Sequence, residues 1–257
     1  MTALADWYFT RGRHDLAWRA TRDPWAILVS EVMLHQTQVP RVAAAWPAFI
    51  ERFPTPAAMA EAGPGAVIEA WGRLGYPRRA RRLFEAASVI TTAGWPDDLA
   101  TLPGVGRYTA DAVRAQADDA DVVAVEVNVR RVVERVRGAR LTPRAAEEAM
   151  RDVADPLTGR DRLLALMDVG AMLCRPRHPR CGECPLAPGC RARGPLADET
   201  RAARQGAFAG SFRQRRGAVL ATLRVAAAPV TKVDREALDS LVADGLARVD
   251  GALARLP

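Results

Sequence analysis

The 257-residue sequence is poor in lysine, histidine, tyrosine and cysteine. Lys232 is the only lysine among 37 basic residues, so every other fixed cation is an arginine. Chemistry through a lysine imine is thereby confined to a single position far down the chain. Aromatic residues make up only 6% of the chain, and Ala, Val and Leu dominate its apolar fraction, which favours close-packed helices over sheets. No window of 18 apolar residues exists, so no membrane span is expected. The opening Met1-Thr-Ala-Leu-Ala-Asp-Trp-Tyr8 lacks a basic segment followed by an apolar one, so no signal peptide is expected either. A cytoplasmic, nucleoid-associated protein is the expectation. All four cysteines fall between 174 and 190, which excludes a disulfide framework spread along the chain and argues for metal chemistry. No repeat at a solenoid period is visible.

What the sequence does have is a 49% hydrophobic fraction, enough for a sizeable core, and a net charge of +7 that suits a polyanionic partner. From Thr2 to about Leu173 apolar residues recur at three- and four-residue spacing, as in Trp25–Leu34, Val39–Phe49, Ala66–Leu74, Arg78–Ile90 and Ala145–Val153. Val122–Val125 is the best strand-like run, but its position before the helical Val129–Val136 makes it a connection. Arg175–Arg216 is richly basic and carries several Pro and Gly, as a loop and linker would. Helical Gln214–Ala226 and Asp234–Leu246, then an Asp250-Gly251 turn, suggest a small winged-helix-like tail.

Four constellations carry chemistry. In Leu102-Pro-Gly-Val-Gly-Arg-Tyr-Thr-Ala-Asp-Ala-Val113, Gly104 and Gly106 open an amphipathic helix, and outward N–H groups at a helix start accept a phosphate. A plain turn is the other meaning of a bare Gly-x-Gly. Cys174-x6-Cys181-x2-Cys184-x5-Cys190 suits one zinc ion or one iron–sulfur cubane. Val29-Ser-Glu-Val-Met-Leu-His-Gln-Thr-Gln-Val39 sets Glu31 among apolar neighbours, where burial would raise its pKa and let it donate a proton. Val125-Glu-Val-Asn-Val-Arg-Arg-Val132 holds Glu126 and Asn128.

The longer strings resemble the helix-hairpin-helix DNA glycosylases, and Ser30-Glu-Val-Met-Leu-His-Gln-Thr-Gln-Val39 in particular resembles the MutY-type adenine glycosylases. The resemblance runs from residue 6 to about 193. It implies an all-α, two-lobed fold with the active site in a cleft between lobes, one holding a six-helix barrel with the hairpin and the other the N-terminal helix and cysteine loop. The expected division is a glycosylase domain over 1–193 with a [4Fe–4S] loop at 174–190, a basic linker over 194–212 and a tail over 213–257. The implied reaction is base excision of adenine from a mispair with 8-oxoguanine or guanine in double-stranded DNA, by a monomer. Glu31 would be the general acid, Glu126 would stabilise the sugar cation, and Tyr108 and Asn128 would shape the site. Trp18, Arg19, His35, Gln36, Tyr76, Gly104, Gly106 and Arg107 would meet DNA. Cys174, Cys181, Cys184 and Cys190 would ligate the cluster, with Arg175, Arg177 and Arg180 beside them on the phosphate backbone.

Four positions depart from the family pattern. Relatives have Asp where Glu126 stands; one methylene moves a carboxylate by roughly 1 Å, enough for about a hundredfold in rate. Gln is usual at His35, and Glu or Gln at Leu164. Bifunctional relatives carry a catalytic lysine at Tyr108, so a monofunctional enzyme without lyase activity is expected. The 67 residues after Cys190 are too few for the Nudix-like domain that MutY proteins carry there. A thymine, uracil or damaged-base glycosylase, or a lesion-binding protein with weak catalysis, are the alternative readings.

Overall fold

The computed structural model describes residues 2–197, 199 and 206–257. These fall into two compact units, one made of residues 1–31 and 106–202, the other of residues 32–105 and 203–257. The fold is mostly helical, as expected.

The first unit contains α1 (Ala3–Arg11), most of α2 (Pro24–Leu34), α6 (Arg107–Asp118), α7 (Val127–Arg137), α8 (Pro143–Ala154) and α9 (Gly159–Asp168). Helix starts are fixed by short polar side chains: Thr2 accepts from Ala5 N and Thr142 from Ala145 N, each satisfying a backbone donor that the first turn leaves free. Leu4 and Tyr8 of α1, Val129 and Val133 of α7, Met150 of α8 and Leu163 of α9 share one core. A buried ion network closes it. Asp168, fully buried at the end of α9, accepts from Arg13 Nε at 2.7 Å and from both terminal nitrogens of Arg19 at 2.7 and 2.8 Å. Burial works against its charge, but these bonds outweigh it and hold its pKa below the usual carboxylate value. A π-turn, Val169–Leu173, leads from α9 into the cysteine loop. The expected connection over 122–125 is irregular, as the sequence suggested.

The second unit packs α3 (Val39–Arg52), α4 (Pro56–Trp71) and α5 (Arg78–Ala93). Helix α4 is kinked where Gly63, at φ +80°, precedes Pro64. The tail, α10 (Phe212–Val225), β1 (Ala228–Pro229), α11 (Arg235–Ala243), β2 (Arg248–Asp250) and β3 (Leu253–Arg255), belongs to this same unit. Arg224 Nε donates to Ile68 O at 3.1 Å and Arg81 Nη1 to Gly245 O at 3.2 Å. The tail thus packs on the helices between 56 and 93. Its three strands pair antiparallel in the order β1-β3-β2; β1, only two residues long, carried no sequence signal. The hairpin turn sits one residue later than its Asp-Gly signal: Asp250 is still paired, with Leu253, and Gly251-Ala252 form the loop. The linker expected over 194–212 lies partly outside the described residues. Among them, no helix is long and apolar enough to cross a membrane.

Candidate active site

Glu31 lies on α2 and is buried, 3% exposed, with Leu28 and Val32 around it on the helix. Two side chains of α6 reach it. Tyr108 donates its hydroxyl to Oε2 at 3.3 Å, and Gln116 donates Nε2 to Oε1 at 2.8 Å. Tyr108 and Gln116 are eight residues apart, two helical turns, so both project from one stripe of α6. Burial pushes the Glu31 pKa up and Glu126's charge adds to it, while the bonds from Gln116 and Tyr108 and the charge of Arg19 pull it back. The Tyr108 hydroxyl is driven well above its ordinary pKa by burial and by both carboxylates, so it stays a neutral donor.

Glu126 sits at the N-cap of α7. Its Oε1 accepts from Val129 N at 2.9 Å and its Oε2 from Asn128 Nδ2 at 2.9 Å. The longer side chain therefore folds back over its own helix start, where Asp would be the commoner cap. Burial raises its pKa, and the Asn128 and Val129 donors and Arg131 oppose that rise. Asn128 is itself held: Arg131 Nη2 donates to its Oδ1 at 2.8 Å and to Gly170 O at 2.7 Å, and Arg131 Nε to Cys174 O at 2.6 Å. Gly170 lies so close that an added Cβ would stand 2.8 Å from Asn128 Cβ and 2.9 Å from Asn128 O. The structure thus assembles Glu31, Tyr108, Glu126 and Asn128. Sequence reasoning missed Gln116, Arg131 and Gly170. A glutamine flanked by Ala112, Val113 and Ala115 on the buried face of α6 was the available signal for the first.

The expected DNA contacts divide. Gly106 is the N-cap of α6, and a Cβ there would point into open space, leaving the backbone approachable. Gly104, at φ +78°, would set a Cβ 2.7 Å from Arg82 Cβ, so glycine is required by the turn itself. Arg107 is mostly exposed, 2.7 Å from Asp111. Gln36 (φ 54°) and Tyr76 (φ 46°) both adopt left-handed backbone, and Tyr76 is exposed. Arg79 links the two segments by donating to Val32 O, Met33 O and His35 O, where α2 ends, and to Gly75 O beside Tyr76. Its guanidinium also lies 5.5 Å from the centroid of the Tyr76 ring. His35 is half-buried, its pKa lowered by burial and by Arg79. Trp18 is buried, and Arg19 pairs with Asp168 while its charge also acts on Glu31. Leu164 is likewise a core residue. Arg175 and Arg177 are exposed, and Arg180 pairs with Glu183.

Cys174, Cys181, Cys184 and Cys190 line one apolar pocket together with Val132, Val169, Leu173 and Leu186. Arg135 Nη1 approaches Cys174 Sγ at 3.5 Å, and Cys190 Sγ donates to Arg135 O at 3.3 Å. Among the described residues, no three His, Cys, Asp or Glu converge as ligands of a single metal ion. The four thiols surround a space, and a cation stands beside it.

Comparison with known proteins matches residues 29–156 to the HhH-GPD superfamily of base excision DNA repair proteins. An adenine DNA glycosylase of Mycolicibacterium smegmatis is 44% identical over 98% of this chain and 94% of its own length. The human adenine DNA glycosylase is 35% identical over 81% of this chain and 42% of its own length. Among solved structures, a thermostable thymine-DNA glycosylase superposes with a TM-score of 0.65 at 28% identity, covering 74% of this chain and 93% of that one. Endonuclease III in a non-covalent DNA complex does so with 0.63 at 23%, over 74% and 91%, a likeness of fold. The chain belongs to the HhH-GPD superfamily of base excision DNA repair proteins, within its adenine DNA glycosylases.

Proposed function

We propose that the protein is a monofunctional glycosylase that flips adenine out of a mispair with 8-oxoguanine or guanine and hydrolyses its glycosidic bond. The observation that carries this reading is the pair of buried carboxylates, Glu31 held by Tyr108 and Gln116 and Glu126 held by Asn128 and Val129. Glu31, buried and with its pKa pushed up, delivers a proton to the adenine ring, so that the base leaves neutral. Glu126 receives two hydrogen bonds and the field of Arg131, which oppose the rise that burial imposes on its pKa, and it stabilises positive charge developing on the sugar. Tyr108 and Asn128 fix the two carboxyl groups. Tyr108 offers no amine, so no lysine imine forms at this position.

The cysteine cavity fits a [4Fe–4S] cluster: four thiolate donors face an apolar space, and Arg135 offsets the negative charge a thiolate-bound cluster carries. Such a cluster would hold the loop bearing Arg175 and Arg177 against the phosphate backbone and supply no step of base removal. A thymine or uracil specificity is the second reading, favoured by the likeness to the thymine-DNA glycosylase and by Leu164. Base release from duplexes carrying adenine, thymine or uracil opposite guanine and adenine opposite 8-oxoguanine separates them. Release confined to the pyrimidines refutes the adenine reading, and release from none favours a lesion-binding protein.

A further inference from the structure

Gln116 enters the site from a position no resemblance assigned. Its side chain is 1% exposed, and its amide nitrogen serves two acceptors, Glu31 Oε1 at 2.8 Å and Ala112 O at 3.3 Å. Both are oxygen acceptors. Rotating the amide by half a turn would set its own oxygen against the Ala112 carbonyl and the carboxylate, so the donor sense toward Glu31 is locked. The backbone of the residue is clamped as well. Gln116 O accepts from Arg160 Nη1 at 2.6 Å and from Arg22 Nη1 at 3.3 Å, in the last turn of α6, where carbonyls lack helical partners.

We propose that Gln116 is a positioning residue for the general acid, a rigid amide donor that aligns the Glu31 carboxyl and weights it toward its ionised form. The chemistry needs such a counterweight. An acid buried among apolar groups alone holds its proton too firmly to surrender it near neutral pH, whereas transfer is most effective when the acid's pKa lies near the working pH. The groups acting on Glu31 are Tyr108 and Gln116 from α6, Glu126 at the start of α7, and Arg19. Of these, Tyr108 bonds at 3.3 Å and Gln116 at 2.8 Å, so the stronger hydrogen-bonding donor is the amide.

The proposal rests on Glu31 acting as proton donor, and the test separates the two ideas. Full-length wild type, Gln116→Met, Gln116→Glu and Glu31→Gln are compared in two measurements. One is an infrared difference titration of the free protein, with the protonated Glu31 carboxyl band identified by its absence in Glu31→Gln. The other is the pH profile of single-turnover adenine release. Met keeps the shape of Gln and removes the donor, so the Glu31 midpoint should rise by about one to two pH units, the worth of a hydrogen bond to a charged group. The alkaline limb of the rate should move the same way, so the ratio of variant to wild-type rate climbs with pH. Gln116→Glu should raise the midpoint too, since two adjacent carboxyls share a proton, and it serves if the Met variant does not fold. A lowered rate with an unmoved midpoint in the folded variants assigns Gln116 to packing and overturns the proposal. A shifted midpoint with undiminished release by Glu31→Gln would uphold it and overturn the general-acid role.

Discussion

Replacing Glu126 by Gln removes one charge and almost no volume, and the structure lets its cost be worked out. The Val129 N–H can still bond to an amide oxygen at 126. The new amide NH2 must then face the Asn128 NH2, which now donates to Oε2 at 2.9 Å. Asn128 cannot turn to accommodate it, because its oxygen is held by Arg131 at 2.8 Å. One charge-assisted bond becomes a donor–donor contact, a loss of about 1.5–3 kcal/mol. For a chain of this size that lowers Tm by roughly 3–12 °C. The rate should fall much further, by about 10²–10³, because a preorganised charge opposite the sugar cation disappears. Thermal melts, single-turnover base release and DNA binding by fluorescence anisotropy should show a modest melt shift, a large rate loss and unchanged affinity. Glu126→Asp should hold or raise the rate, since Asp caps a helix well and restores the reach that relatives use. A Glu126→Gln protein releasing base at the wild-type rate would refute the role given to this carboxylate.

Gly170→Ala should force the start of α7 away from the π-turn, because the new methyl meets Asn128 Cβ at 2.8 Å and Asn128 O at 2.9 Å. A displacement near 1 Å lowers the rate about a hundredfold while DNA affinity persists, and unaltered kinetics would show that the contact relaxes harmlessly. Gly106→Ala should fold and melt as wild type yet bind DNA more weakly, whereas Gly104→Ala should lose stability through its positive φ and the Arg82 contact; equal melts for the two would contradict this. Purified protein should be yellow-brown, and Cys184→Ser should lower folded yield and DNA affinity; colourless protein with one zinc per chain would refute the cluster. Borohydride should trap no covalent protein–DNA adduct, and trapping above background would overturn the monofunctional reading.

The helices and the carboxylates were legible because short-range rules specify them. Apolar spacing located α2, α3 and α5 closely but caught only the last part of α4, whose first half, from Pro56 to the kink at Gly63, it missed, and the Gly104–Gly106 string marked the start of α6. Illegible were the contacts made across long separations. Nothing local in Arg131 tells that it binds both Asn128 and the carbonyl of Cys174, 43 residues on. Nor does anything local in Trp18-Arg19 tell that the ring is buried and that the guanidinium binds Asp168, 149 residues on. Two-residue β1 lay below any periodic signal, and the tail's attachment depends on bonds such as Arg224 to Ile68.

The interleaving of the two units has a consequence for how the protein is made. The chain leaves one unit after residue 31, returns to it at 106 and leaves again after 202. The apolar face of α1, with Leu4, Ala5 and Tyr8, therefore emerges from the ribosome without its partners on α7, α8 and α9. More than a hundred residues must follow before Val129, Met150 and Leu163 exist to cover it. Closing so long a loop carries an entropic cost that its contacts offset only afterwards, which slows folding and prolongs the exposure of that face. No single cut separates the units either: a fragment of residues 106–202 would present the bare seat of α1 to solvent, and a chain stopped at 202 would strip the tail from α4 and α5. The nascent protein is thus most exposed to aggregation during synthesis of its middle third, and chaperone contact with α1 should end only as α9 appears.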